Sequence, residues 1–288
     1  MIKSSEIKQI ARNKLSGNWI KAFAITVIFV AINLAISYCS LLIKNLTTNV
    51  PILYYSSQII FALIVLPVSF GFISAIVKLL NGKNPAYTTI INDALLNFSK
   101  AIGIFFRIFL KMLVPSLVII LALVAIFFLL TQVFPLNADS LGTYLLLLFL
   151  FYFLALIAII LLSLPYVLST YVLANNTELS SKEAINESIA LMDGNKWNFI
   201  KLLLSFVGWI IIIGLATAII QNYSPEILKD LIQSIGIIFI LPYIISSIAI
   251  FYDELNDTTI EVANADKTEI KKDLNENTEI NSENNNEE

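Results

Sequence analysis

Long apolar runs alternate with short clusters of charge along this chain. Stretches free of Asp, Glu, Lys and Arg extend from Ala22 to Ile43, Asn45 to Val77, Met112 to Ala138, Ser140 to Thr177, Leu202 to Pro225 and Leu231 to Tyr252. A helix advances about 1.5 Å per residue and the hydrocarbon core of a bilayer is about 30 Å thick, so roughly 20 apolar residues make one crossing. The pattern therefore predicts an all-α, polytopic membrane protein with six spans at 20–43, 56–78, 112–134, 143–173, 199–221 and 232–252. The runs from Phe61 to Ile76 and from Leu145 to Leu162 lack the polar face that a helix in water requires. Pro51, Pro135 and Pro225 fall in the connections between spans 1 and 2, 3 and 4, and 5 and 6, where a missing amide donor does least harm. Pro115 falls near the start of span 3, where a first turn tolerates it.

The charges between the runs set the direction of crossing. Basic residues are retained on the cytoplasmic side, and thirteen of the fifteen before Asp253 lie in the N-terminal segment, Lys78–Lys111 and Lys182–Lys201. Only Lys44 and Lys229 fall opposite, which places both termini in the cytoplasm. The basic cluster ahead of span 1 resembles the start of a secretory signal. The apolar run after it is longer than the roughly 7 to 15 residues of a signal core, and no small-residue cleavage site follows, so it reads as an uncleaved span.

The spans also repeat. The even-numbered ones share Leu66-Pro67, Leu164-Pro165 and Leu241-Pro242, each about ten residues from the cytoplasmic end. That spacing predicts kinks at Pro67, Pro165 and Pro242 about 15 Å deep, near the bilayer midplane. Ahead of the odd-numbered spans, apolar residues recur at helical spacing among polar ones: Ile7, Ile10, Ala11 and Leu15; Ile90, Ile91, Ala94, Leu95 and Phe98; Ile185, Ser188, Ile189 and Met192. Each reads as a short amphipathic helix. Two of them end in Gly17-Asn18-Trp19 and Gly194-Asn195-Lys196-Trp197, a helix stop followed by a ring suited to the headgroup level. The middle one has Asn97-Phe98 and predicts a gentler bend. The unit is a helical hairpin with a cytoplasmic surface helix, present three times, so that a pseudosymmetry axis lies along the membrane normal.

Composition adds exclusions. There is no histidine, which removes the commonest general base and metal ligand. The single cysteine, Cys39, rules out an intrachain disulfide. Twelve of the 21 acids but only three of the 18 basic residues lie from Asp253 onward, so the body is basic and the tail acidic. Residues 256–288 lack aromatics and predict a disordered tail. No phosphate-cradling glycine loop, metal-ligand cluster or nucleophile elbow appears, so no cofactor and no enzymatic activity are expected. The inner membrane surface already accounts for the basic residues without nucleic acid.

Three stretches resemble the marks of a known family. They are Ala11-Arg12 with Gly17-Asn18-Trp19; Leu191-Met192-Asp193-Gly194-Asn195-Lys196 leading to Ser205-Phe206-Val207-Gly208-Trp209; and Pro242-Tyr243 with Phe251-Tyr252. They are similar to bacterial integral membrane proteins grouped as domain of unknown function 975, over Ile2–Leu255. The resemblance implies a multi-pass bacterial membrane protein and carries no activity or catalytic residue with it; the location expected here is the bacterial plasma membrane.

Candidate chemistry is sparse. Arg107 and Lys111 share a helix face on the approach to span 3 and read either as contacts for an anion or lipid headgroup at the cytoplasmic face, or as side chains snorkelling to that level. Glu183 and Glu187 share a face and read as solvated. No Asp or Glu lies within a span, which weighs against ion-driven transport. The expected partner is the lipid bilayer, and the leading role a non-catalytic envelope scaffold or accessory subunit. The alternative is a transporter or lipid-handling protein, which calls for a polar cavity lined by Ser169, Ser246 and Tyr243 beside the prolines.

Overall fold

The computed structural model describes residues 3–47, 49–133, 141–222 and 234–258. Pro135, Pro225, Lys229 and the tail beyond Thr258 lie outside them. The described residues form α1 (Ser4–Leu15), α2 (Trp19–Leu46), α3 (Pro51–Leu80), α4 (Thr89–Leu96), α5 (Phe98–Val133), α6 (Leu141–Ser163), a 3₁₀ turn (Leu164–Tyr166), α7 (Ser169–Asn175), α8 (Ser181–Met192), α9 (Lys196–Asn222) and α10 (Ser234–Thr258). Six of these segments are long and apolar enough to cross a membrane: α2, α3, α5, α6 with its continuation to Asn175, α9 and α10.

Local chemistry explains the element ends. Gly17, Gly82 and Gly194 take positive φ after α1, α3 and α8, the conformation that stops a helix at least cost in glycine. Between α4 and α5 a single residue, Asn97, makes the break, its side chain donating back to the Asp93 carbonyl at 3.2 Å. The start of α8 is a capping box: the Glu183 amide donates to Ser180 Oγ at 3.3 Å, and the Ser180 amide to Glu183 Oε2 at 2.8 Å. Two expectations shift. Helix α5 begins at Phe98, so Arg107 and Lys111 lie within it and Pro115 is well inside it rather than in a first turn. Helix α10 continues to Thr258, past the expected end at Tyr252.

The buried core occupies one end of the bundle. It draws on residues 70–80 of α3, 164–174 around the 3₁₀ turn, 248–252 of α10, the beginnings of α2, α5 and α9, and the short helices α1, α4 and α8. The other end, including Ile52–Ile64, Leu113–Leu129, Leu145–Leu161 and Leu204–Ile220, exposes a broad apolar band of the kind that lipid covers. Each short helix packs on a proline-bearing segment. Helix α4 lies on α3 at Gly71, where an added Cβ would overlap the Ile90 carbonyl. Helix α8 lies on the 3₁₀ turn, where Ser188 Oγ donates to the Pro165 carbonyl at 2.8 Å. Helix α1 lies on α10, held by Tyr243 Oη donating to the Lys8 carbonyl at 3.3 Å and by the Lys14–Asp253 ion pair at 3.5 Å.

The inward faces of α1 and α8 follow most of their apolar spacing: Ile7, Ala11 and Leu15, and Ile185, Ser188 and Met192, are buried, while Ile10 and Ile189 are half-buried. In α4 they do not. Ile90 and Ala94 turn inward with Asp93 and Asn97, while Ile91, Leu95 and Phe98 are exposed. The reason is chemical: α3 offers α4 a glycine, a serine and a lysine, and that surface takes a carboxylate better than a leucine.

Candidate functional site

Among the predicted prolines, only Pro165 interrupts a helix, at the 3₁₀ turn between α6 and α7. Pro67 and Pro242 are buried within uninterrupted helices. The Lys111 ammonium stands 5.8 Å from the ring of Tyr166, next to Pro165. Tyr243, next to Pro242, donates its hydroxyl to the Lys8 backbone carbonyl and has the Arg12 guanidinium 6.0 Å from its ring. Charged groups of other elements thus stand level with two of the three prolines.

Ser169 and Ser246 have no exposed surface. Ser169 Oγ donates to the Tyr166 carbonyl at 2.8 Å, within its own turn. The Ser246 hydroxyl is buried with no hydrogen-bond partner. These two serines and Tyr243 do not line a common cavity, because Tyr243 faces a different space. Arg107 and Lys111 are exposed on α5, and Lys111 reaches the Tyr166 ring.

The space that Tyr243 faces is a groove of about 640 Å³ between α1, the start of α2, α9 and α10. Its mouth carries Lys8 and Arg12, one turn apart on α1. Below them is an aromatic platform. Phe206 and Tyr243 meet edge to face at 5.3 Å, with Trp19 at 6.2 Å from Tyr243. The Lys8 ammonium stands 5.4 Å from the Phe206 ring centre. A cation over an aromatic face is attracted by the ring quadrupole, so both cations are held at the mouth. Further along α9 and α10 the lining is Trp209, Ile212, Ile213, Phe239 and Ile240, all apolar apart from the indole NH. Arg12, Trp19, Phe206, Trp209 and Tyr243, from all three stretches that carried the family resemblance, meet in this one groove.

Two further polar features were missed in the linear reading. Asp93, one residue of a loop by hydropathy alone, is buried between α3 and α4 and accepts from Ser74 Oγ and Lys78 Nζ, each at 2.6 Å. In the apolar half, Asn33, Ser37 and Ser40 recur at helical spacing on α2, and Gln58 Nε2 of α3 donates to Ser40 Oγ at 2.7 Å. Cavities of about 360 and 430 Å³ lie on either side of Asn33 and Ser37. The signal for that stripe was present in the spacing; no comparable signal marks Asp93.

The two α8 carboxylates also part company. Glu183, in its capping box, is held below the ordinary carboxylate range first by the hydrogen bond from the Ser180 amide and then by that from its hydroxyl. Glu187 is half-buried and pushed above that range by burial, against the opposing effect of the Tyr252 hydroxyl 3.5 Å away. It is not simply solvated.

A family model described as protein of unknown function (DUF975) matches residues 1–259. No curated protein and no solved structure matches the chain. With the match running from the first residue of α1's approach to just past α10, the chain belongs to the DUF975 family of proteins of unknown function.

Proposed function

We propose that this chain is a non-catalytic, multi-pass protein of a bacterial plasma membrane, with both termini in the cytoplasm, serving as an envelope scaffold or accessory subunit. The observation that carries the reading is the filled core beside the prolines. Ser169 and Ser246, which a transport pathway there needs in contact with water, have no exposed surface. The carboxylate of Asp93 is engaged by Lys78 and Ser74, and the chain has no histidine, which leaves little for acid–base chemistry.

The repeat, in this reading, is best phased as a proline-bearing span followed by a surface helix: α3 with α4, α6 and α7 with α8, and α10 with α1. The N-terminal helix then fills for the last span the place that α4 and α8 fill for the spans they follow. Three hairpins joined this way close on themselves. Helix α6 alone, with 23 residues, is about 34 Å long, enough for a full crossing before Pro165. The inner headgroup level then falls near the prolines, and the helix-sheathed end forms a compact platform on the cytoplasmic side.

The alternative, a transporter or lipid-handling protein, draws its support from the groove beside Pro242. Purification from native membrane with lipids retained separates the two. The scaffold reading expects one protein partner at constant stoichiometry and no solute flux from the chain alone in proteoliposomes. Solute movement by the chain alone overturns it.

A further inference from the structure

We propose that the groove between α1, α9 and α10 is a binding site for one anionic glycerophospholipid, with its phosphate at Lys8 and Arg12 and an acyl chain along Trp209, Ile212, Ile213, Phe239 and Ile240. This goes beyond the scaffold reading and does not depend on it.

The charge complementarity is specific. Lys8 and Arg12 are one turn apart on α1 and both face the groove. The two ion pairs recorded among the described residues, Lys14–Asp253 and Lys78–Asp93, involve neither of them. Two cations held side by side over aromatic rings suit a phosphate diester, which offers several acceptor oxygens and one negative charge. Each basic residue near an anionic surface favours binding by a few-fold.

The lining below the cations names the rest of the ligand. From Phe206 to Ile213, α9 advances about 10 Å, and the groove is apolar over that length. Trp209, Ile212 and Phe239 are about 60% exposed to the surroundings, so the trough opens sideways where an acyl chain can enter from the bilayer. The chain's own acidic tail is the competing occupant, since it follows α10. It carries carboxylates but no aromatic residue from Asn256 onward, and its large aliphatic residues, Ile260, Val262, Ile270, Leu274 and Ile280, stand apart among acids and asparagines, so it offers no continuous apolar run to lie along ten ångströms of trough. A soluble phosphate ester would satisfy the cations and leave the trough empty.

The groove carries its own reporters. Trp19 and Trp209 line it, and the third tryptophan, Trp197, does not. The test uses the full chain with Trp19→Phe and Trp197→Phe, leaving Trp209, in nanodiscs of phosphatidylcholine. A small fraction of the lipid is brominated on its acyl chains, as either phosphatidylglycerol or phosphatidylcholine. Brominated phosphatidylglycerol is expected to quench Trp209 at a concentration about threefold or more below that of brominated phosphatidylcholine. The preference should vanish in Lys8→Gln/Arg12→Gln, persist in Lys8→Arg/Arg12→Lys, and persist in Arg107→Gln/Lys111→Gln. Unchanged quenching by phosphatidylcholine in the first variant verifies that its groove is still formed. Equal quenching by the two lipids in the parent protein overturns the proposal, as does a preference that survives loss of both α1 cations. Quenching that appears only after the tail acids are replaced by amides assigns the groove to the tail and also overturns it. So does loss of the preference on adding soluble glycerol phosphate at concentrations comparable to the lipid.

Discussion

The backbone of Gly71 meets the carbonyl of Ile90 with no room for a side chain: a methyl there would overlap the carbonyl oxygen and stand 3.2 Å from the Ala94 nitrogen. The neighbours are helix backbone, which cannot rotate aside, so α4 as a whole must move to admit even alanine. Overpacking of this kind costs about 1 to 3 kcal/mol, against a gain of about 1 kcal/mol from replacing glycine in a helix. Gly71→Ala is therefore expected to lower the melting temperature in detergent. Gly208→Ala, with nothing within 4 Å of the added methyl, should be neutral or slightly stabilising. Equal melting of the two variants contradicts the packing of α4 on α3.

The Lys78–Asp93 pair lies beside that contact, at 2.6 Å and largely sheltered. Removing one partner leaves the other charged and without its counterion, at a cost of about 3 kcal/mol in buried pairs. Asp93→Leu should thus destabilise strongly, and Lys78→Met/Asp93→Leu should recover much of the loss. A double-mutant cycle by thermal unfolding measures the coupling, and additive losses would show that the pair contributes nothing.

Glu183 and Glu187 give opposite pH signatures in unfolding. Glu183 is depressed, so its stabilising contribution is present above the ordinary carboxylate pKa and is lost as pH falls through its lower folded value. Glu187 is raised, so its contribution is full below the ordinary pKa and is lost as pH rises through its higher folded value. At pH 7, Glu183→Gln should lower the melting temperature and Glu187→Gln should leave it unchanged or raise it. Melting curves of both variants between pH 4 and pH 7 on the ordinary carboxylate scale check the signs.

Ser180→Ala removes the acceptor for the Glu183 amide and should cost about 1 kcal/mol. The loss should appear first as faster amide exchange in the opening turn of α8.

Orientation can be read with single cysteines in a Cys39→Ser background. A membrane-impermeant maleimide applied to spheroplasts should label Lys44→Cys and spare Lys83→Cys until the membrane is opened. The opposite pattern would invert the proposed topology.

By itself the sequence determined where the chain is apolar for long enough to cross a membrane, where α1 and α8 stop at Gly17 and Gly194, and which faces of those two helices turn inward. Each is a local property, settled by hydropathy, backbone freedom and helical period over a dozen or two residues. Only the tertiary structure decided the face of α4, the Lys78–Asp93 pair and the core that takes in Ser169 and Ser246. It also decided the groove in which Lys8 and Tyr243, 235 residues apart, meet. The physical reason is that these contacts join separate helices: partners are chosen by close fit and by the few polar groups that find one another, and neither is visible along a single strand of letters.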